Sequence, residues 1–590
     1  MISRAEDHDR VPDPFQLSVS AAHPKELTRR SDRVVLPAWS RFVLPWAIPL
    51  ALFGFGLALR LPHLWTIPTL TDEANEVLRG LAVAEGRLLP LTNVNTYLGS
   101  FYNYLLGALF LAVGPSIYAA RMLTALAGAL TVPMTYLLLR ELGAGRGLAI
   151  VGAGLLATSG THIVVTSHVA WAHSLTPLAA TFGLWLLARA VHRDRPRLLV
   201  LAGLALGLAV QLHTSAVALL PGAAVYVLIR RRPWLRTPWP YLAAVAFLAV
   251  NANLIAFAAL SRGEPLAEAQ NHVRSYARSG AAGLDLYREN LGKLGLAFGR
   301  MLAGAVDVRD AGASYLADPS FWIYAAVLLI GLAWGAARGS ALPLLVLVPY
   351  ALVLPLVNSK FEVIPNGRFL APLFPIAYTG IAVGLGAIFA LVRSRLAPSQ
   401  CQWAFALTAI TLVFWPTVPL AVRYNQMADS ERTSLMLLEA LATLESRRQP
   451  GEWVALDPDL EKLWLDAGGD YLVAFRYLLT MRSIPNRELE FRRGSDQGNV
   501  DSCDPSPVEL HWVMPERSPG APTLFANDPA TSEDESRRPY WQIRTVQRSD
   551  RARDAQRGQA DEWSAVIATY APPVYASSRA VDRCVPRRPI

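Results

Sequence analysis

Residues 61–85 of the 590-residue chain read LPHLWTIPTLTDEANEVLRGLAVAE, directly after the first long apolar segment. Pro62 and Pro68 keep the approach extended, because the residue before a proline is steered away from the helical region. Thr71 or Asp72 is then in place as an N-cap, and Ala74, Val77, Leu78, Leu81 and Ala82 recur at helical spacing. The stretch predicts an amphipathic helix on a bilayer surface that opens with two adjacent carboxylates, Asp72 and Glu73. Spacing alone leaves two readings. Asp72 caps the helix while Glu73 complements its dipole, or the pair does chemistry in an outer loop.

The surroundings are those of a membrane protein. Hydrophobic residues make up 53% of the chain and charged ones only 17%, against about a quarter charged in soluble domains. Apolar runs long enough for roughly 30 Å of hydrocarbon recur through the first two thirds. The first begins near Phe42 and many follow, which excludes a lone secretory signal. The net charge of +9 does not point to nucleic acid, because it resides in short loops. Arg140, Arg146, Arg189, Arg193, Arg195, Arg197, Arg230, Arg231, Arg232, Arg236, Arg338, Arg393 and Arg395 face only Glu141 and Asp194 there. That surplus exceeds the whole net charge and marks these loops as cytoplasmic.

Residues 1–41 are polar and proline-bearing and read as a disordered cytoplasmic arm. Residues 42–420 form the membrane core. Its first span, 42–59, runs outward, and residues 61–117 make the first outer loop with the acidic pair. The apolar stretch 97–113 is taken as interfacial or re-entrant, since a full crossing there would put the basic loops outside. Further spans follow at 118–139, 148–165, 175–191, 198–213, 216–229, 241–260, 321–336, 341–357, 369–392 and 402–420, about eleven in all. Asn251 and Asn253 in the 241–260 span are expected to turn into the bundle. The fold class is an all-α polytopic membrane protein.

Residues 421–590 lack spans and form an extracytoplasmic C-terminal region if the N-terminus is cytoplasmic and the count is odd. GEWVALDP and VELHWVMP look like strands ending at turns, so the part up to Pro515 reads as a small α/β unit. Residues 517–559 are polar enough to be largely loop. Cys401 reads as packed in an apolar run, whereas Cys503 and Cys584 are able to pair only if the tail is outside the cytoplasm.

By topology, four patches share the outer side: Asp72 with Glu73; the loop 166–174 with His168 and His173; the cations of the loop 261–320; and residues 358–368 with Lys360 and Arg368. A carboxylate beside a membrane can act as general base toward an acceptor hydroxyl, and Lys360 and Arg368 can neutralise a phosphate leaving group.

Four segments carry a resemblance: TDEANE at 71–76, YLGSFYNYLLGALFLAVGPSIYAARMLTALAGALTVPMTYLLLREL at 97–142, SHVAWAHSLTP at 167–177 and NGRFLAPLFP at 366–375. They resemble the membrane core of polyprenyl-phosphate-dependent GT-C glycosyltransferases, the group of the protein O-mannosyltransferases and the lipid A aminoarabinose transferase. The resemblance implies that Asp72 is the catalytic base, that Glu73 supports it or the substrate, and that one displacement inverts the anomeric carbon. It also implies donor-phosphate contacts for Arg368, Lys360 and Arg121. For Arg368 the other reading is snorkelling at a helix end, and for Arg121 an interfacial anchor. Where relatives carry a second acidic residue, this chain has His168 and His173. His173 is then either a polar or metal-binding substitute or a satisfied interfacial histidine. The residues specify no cofactor, although Asp72, Glu73 and one histidine form a possible set for a divalent metal ion.

The partners implied are a polyprenyl-phosphate sugar donor, a glycan, lipid or protein acceptor, and the lipid bilayer, with no nucleic acid. An integral protein of a bacterial plasma membrane fits the composition. The rival readings are a transporter or lipid flippase, and an inactive relative serving as an assembly partner.

Overall fold

Leucine, alanine and valine runs without water must satisfy every backbone N–H and C=O internally, so they fold as helices. The computed structural model describes residues 40–62, 64, 71–275, 283–302, 319–359, 366–393, 395, 397–415, 441–442, 445–446, 453–456, 471–483, 486–488, 490–491, 511–513, 540–547, 564–571 and 584–585. Ile117–Glu141, Ala172–His192, Thr214–Arg236 and Phe369–Val392 are each long and apolar enough to cross a membrane, and bent helix pairs raise the number to as many as seven. Trp46–Ala58, Phe101–Val113, Leu198–Leu212 and Ser399–Phe414 are shorter apolar helices. The core is all-α and polytopic as expected. The expected eleven spans exceed what length and composition of the described helices support.

Two spans read as continuous are broken. Arg146–Thr158 and Gly160–Ser167 meet at 63°. Between them Ser159 is extended, and its hydroxyl accepts the His162 N–H at 3.4 Å, so a serine caps a new helix inside what reads as one apolar run. Trp239–Val250 and Ala252–Leu260 meet at 60°. Asn251 sits at that bend, 5% exposed, with Nδ2 donating to Phe247 O at 2.9 Å and Gly207 O at 3.3 Å. The asparagine does turn inward, and it does so where the helix breaks.

Chain contacts divide the molecule into two units. The first comprises Met1–Leu64, Leu89–Tyr104 and Arg121–Asn425. The second comprises Trp65–Leu88, Leu105–Ala120 and Gln426–Ile590. The sequence places its boundary at 420/421, whereas contacts join the acidic stretch of the first outer loop to the C-terminal region.

The first unit packs on small residues. Leu52, Val132, Tyr136 and Leu139 meet Ala144, Ala149, Ala153, Ala157 and Ala382 in a buried cluster. A Cβ on Gly384 would collide with Val327 O, so Pro319–Ala337 and Phe374–Val392 approach to backbone contact. The basic loops gather. Glu141 takes Arg193 at 2.9 Å and Arg189 at 3.5 Å, Arg231 donates to Val191 O at 3.0 Å, and Ser340 Oγ to Leu142 O at 3.0 Å.

In the second unit, strands follow the residues expected and run further. β1 (Trp453–Leu456), β2 (Asn486–Glu488), β3 (Glu490–Phe491), β4 (His511–Val513), β5 (Tyr540–Gln547), β6 (Ser564–Ala571) and β7 (Cys584–Val585) are the described strands. Five form a mixed sheet in the order β2-β1-β6-β5-β4, parallel at β1–β2 and β1–β6, antiparallel at β4–β5 and β5–β6. The α/β unit therefore does not end near Pro515. β5 lies inside the segment read as largely loop, because YWQIRTVQ is a β-branched and aromatic run bounded by polar residues. Cys503 lies outside the described residues, so the Cys503–Cys584 pairing does too. Cys401 is a free thiol of intermediate exposure.

Candidate active site

The acidic helix spans Thr71–Ala84, in the second unit. It begins at Thr71, which puts Asp72 in its first turn rather than at the cap; the Asp72 side chain lies outside the described residues. Glu73, Ala74, Glu76, Val77, Gly80 and Leu81 are buried, whereas Asn75 is exposed. An amphipathic helix lying on a surface would bury only its apolar stripe. This one buries two glutamates with it, Glu73 at 0% and Glu76 at 2% exposure. Tyr477 of Tyr471–Met481 donates its phenol to Glu73 Oε1 at 2.9 Å. Arg79, half-buried one turn beyond Glu76, has its pKa lowered by desolvation.

The first unit holds buried cations and imidazoles. Arg60 is fully buried at the end of the first helix. Its guanidinium donates to Gly56 O at 2.6 Å, meets His162 Nδ1 at 2.7 Å and reaches Thr166 Oγ1 at 3.4 Å. A Cβ on Gly128 would collide with Thr166 and crowd Arg60 Nε, so only glycine lets the span Ile117–Glu141 pass this cluster. Arg121, 2% exposed, donates to Leu64 O at 2.7 Å.

The 166–174 loop is not a surface loop. Every residue from Thr166 to Ser174 is buried. His168 bridges Ser167 Oγ at 2.9 Å and Pro62 O at 2.8 Å, which ties this turn to the end of the first helix segment. His173 packs against His213 with ring centroids 3.9 Å apart and planes tilted by 43°, and Phe369 lies 5.2 Å from His213 and 6.4 Å from His173. His213 in turn bonds Ser215 Oγ at 2.6 Å. Phe369 belongs to the 3-10 helix Asn366–Leu373, whose carbonyl at Phe369 accepts the Tyr350 phenol. The backbone of Arg368 is thereby fixed beside the His173 turn. The Arg368 side chain and Lys360 lie outside the described residues.

The structure thus brings together His168 with the 60–64 segment, His173 with the helix of Arg368, and Glu73 with Tyr477. Arg60, His162, His213 and Tyr477 escaped sequence reasoning as site residues. A signal existed for Arg60, a charge abutting an apolar run. None existed for Tyr477. Among the described residues no three His, Cys, Asp or Glu side chains converge as a metal site; Asp72, part of the metal set read from the sequence, is outside that group.

A polytopic helical core with apolar helices long enough to cross a bilayer defines an integral membrane protein. Residues 100–256 match the sequence model of the family described as dolichyl-phosphate-mannose-protein mannosyltransferase. The match covers a segment of the helical core and overlaps the stretch 97–142 that carries the resemblance. Among solved structures, the chain is similar to ArnT from Cupriavidus metallidurans bound to undecaprenyl phosphate, at 14% identity and TM-score 0.47, over 76% of this chain and 90% of that one. It is similar also to the archaeal oligosaccharyltransferase AglB from Archaeoglobus fulgidus in complex with an inhibitory peptide and a dolichol-phosphate, at 16% identity and TM-score 0.44, over 74% of this chain and 64% of that one. No curated protein matches the chain.

Proposed function

We propose that the protein transfers a sugar from a polyprenyl-phosphate-linked donor to a glycan, lipid or protein acceptor on the extracytoplasmic side of a bacterial plasma membrane. The observation that carries this reading is the family match over residues 100–256, which begins within the first outer loop. Asp72 takes the proton of the acceptor hydroxyl, the oxygen attacks the anomeric carbon from the face opposite the phosphate, and the carbon–oxygen bond to phosphate breaks. The electron pair leaves with polyprenyl phosphate, and the configuration inverts.

Arg368 and Lys360 neutralise the departing phosphate in this scheme. Arg121 is grouped with them by sequence, but its bond to Leu64 O supports anchoring of the chain that leads to the acidic helix. His173, held in a buried cluster of rings, lines the donor side next to the Arg368 helix. The gathering of the basic loops supports a cytoplasmic N-terminus, and an odd number of spans would then put the C-terminus outside.

Two interrupted spans favour a second reading, a lipid flippase, because broken helices are how transporters build midplane sites. One experiment separates them. Proteoliposomes carrying labelled lipid-phosphate sugars and a membrane extract as acceptor source should release free polyprenyl phosphate with wild type and not with folded Asp72→Asn. Movement of labelled lipid across the bilayer without release would replace the transferase reading by the flippase.

A further inference from the structure

We infer that Tyr477 is a positioning residue for Glu73, so that the C-terminal region supplies a working part of the acidic helix rather than an appended domain. The inference deepens the proposed glycosyl transfer and, for its catalytic arm, rests on it.

The two helices meet stripe to stripe. Ala474, Tyr477, Leu478 and Met481 are buried at the i, i+3, i+4, i+7 positions of Tyr471–Met481. Glu73, Glu76, Val77 and Gly80 occupy the same four positions on Thr71–Ala84. One stripe is apolar apart from a phenol; the other is half acidic. Burying a carboxylate against such a face is unfavourable unless donors meet it. Two like charges at i, i+3 add to the difficulty. For adhesion alone, an apolar residue at position 73 would pack against alanine and leucine with no desolvation penalty.

The phenol answers the geometry of one oxygen. Tyr477 Oη is 2.9 Å from Glu73 Oε1, and both side chains have no solvent exposure. A directional bond from a rigid ring, 404 residues away in sequence, helps hold the rotamer of Glu73 and with it the rotation of the helix about its axis. Asp72 is the preceding residue of that helix, so its backbone is fixed by the same contact. Supporting groups of this kind hold reacting groups within the narrow geometry that turnover demands.

Tyr477→Phe keeps the ring and removes the donor. Backbone hydrogen exchange in the full-length protein should then rise about fivefold to tenfold across residues 71–84 and stay unchanged in the spans. Unchanged exchange at 71–84 overturns the inference, whether or not any activity is found. In the release assay, kcat should fall about fivefold to tenfold while the donor KM stays within about twofold, and the drop should vanish in a Glu73→Met background, which has no acceptor for the phenol. Leu478→Ala loosens the same interface without touching the hydroxyl and should lower kcat equally in both backgrounds. Additive effects of Tyr477→Phe and Glu73→Met, or a change confined to KM, would reduce the bond to simple packing and overturn the positioning role. If wild type releases no polyprenyl phosphate from any donor, the transferase reading fails, and the exchange result alone then decides the role of Tyr477.

Discussion

Arg60 and Glu73 are opposite charges, each fully withdrawn from solvent, and they reach that state by different routes. Arg60 uses what its own helix and one neighbouring helix offer: the Gly56 carbonyl a turn earlier, and His162 and Thr166 on one face of Gly160–Ser167. Glu73 is met by a phenol from near the other end of the chain. The arginine network ties the membrane core together and, removed, should be felt first as instability. The glutamate orients a helix that begins with the proposed base and, disturbed, should be felt first as lost turnover.

The sharpest test of that division is Asp72→Asn, which should lower polyprenyl phosphate release by about a thousandfold, in the range expected for loss of a general base, with the thermal unfolding of the detergent-solubilised protein unaltered. A melting transition displaced as far as that of the Arg60 variant would erase the contrast. Arg60→Ala comes next. Removing one member of a buried polar network should destabilise by about 3–5 kcal/mol in denaturant titrations, with Arg60→Lys recovering part of the loss. Gly128→Val sharpens the same point from the other side, since the side chain must displace Thr166; overpacking of about 1–3 kcal/mol is expected, and native-like stability would mean the cluster is loosely packed. The smallest effect belongs to a pair outside both regions. Arg482 and Glu445, 2.7 Å apart and each more than a third exposed, should change stability by less than about 1 kcal/mol on Glu445→Gln.

The sequence carried much of the fold for a simple reason. A helix that must bury all its backbone polar groups announces itself by composition, and the apolar runs at 118–139, 175–191 and 369–392 fall inside the helices found at Ile117–Glu141, Ala172–His192 and Phe369–Val392. The breaks at Ser159 and Asn251 were less visible, because one polar residue in an apolar run barely alters its average. The 166–174 segment misled for the opposite reason. It reads as a short outer loop, yet Ser174 Oγ donates to Val165 O and His168 is held at both ring nitrogens, so the polarity is spent inward. The acidic pair was legible, as residue types at a helix start beside a membrane.

By itself the sequence determined that this is a helical membrane protein with basic loops on one side, a strand-forming C-terminal region and an acidic pair just beyond the first apolar segment. These follow from periodicity and composition, which are local. Only the tertiary structure decided that Glu73 is buried under Tyr477, that Arg60 and Arg121 lie inside, and that His173 packs against His213 beside the Arg368 helix. Each of these pairs partners far apart in sequence, and burial of a polar side chain depends on finding such a partner. No local pattern encodes which distant hydroxyl or ring will be there.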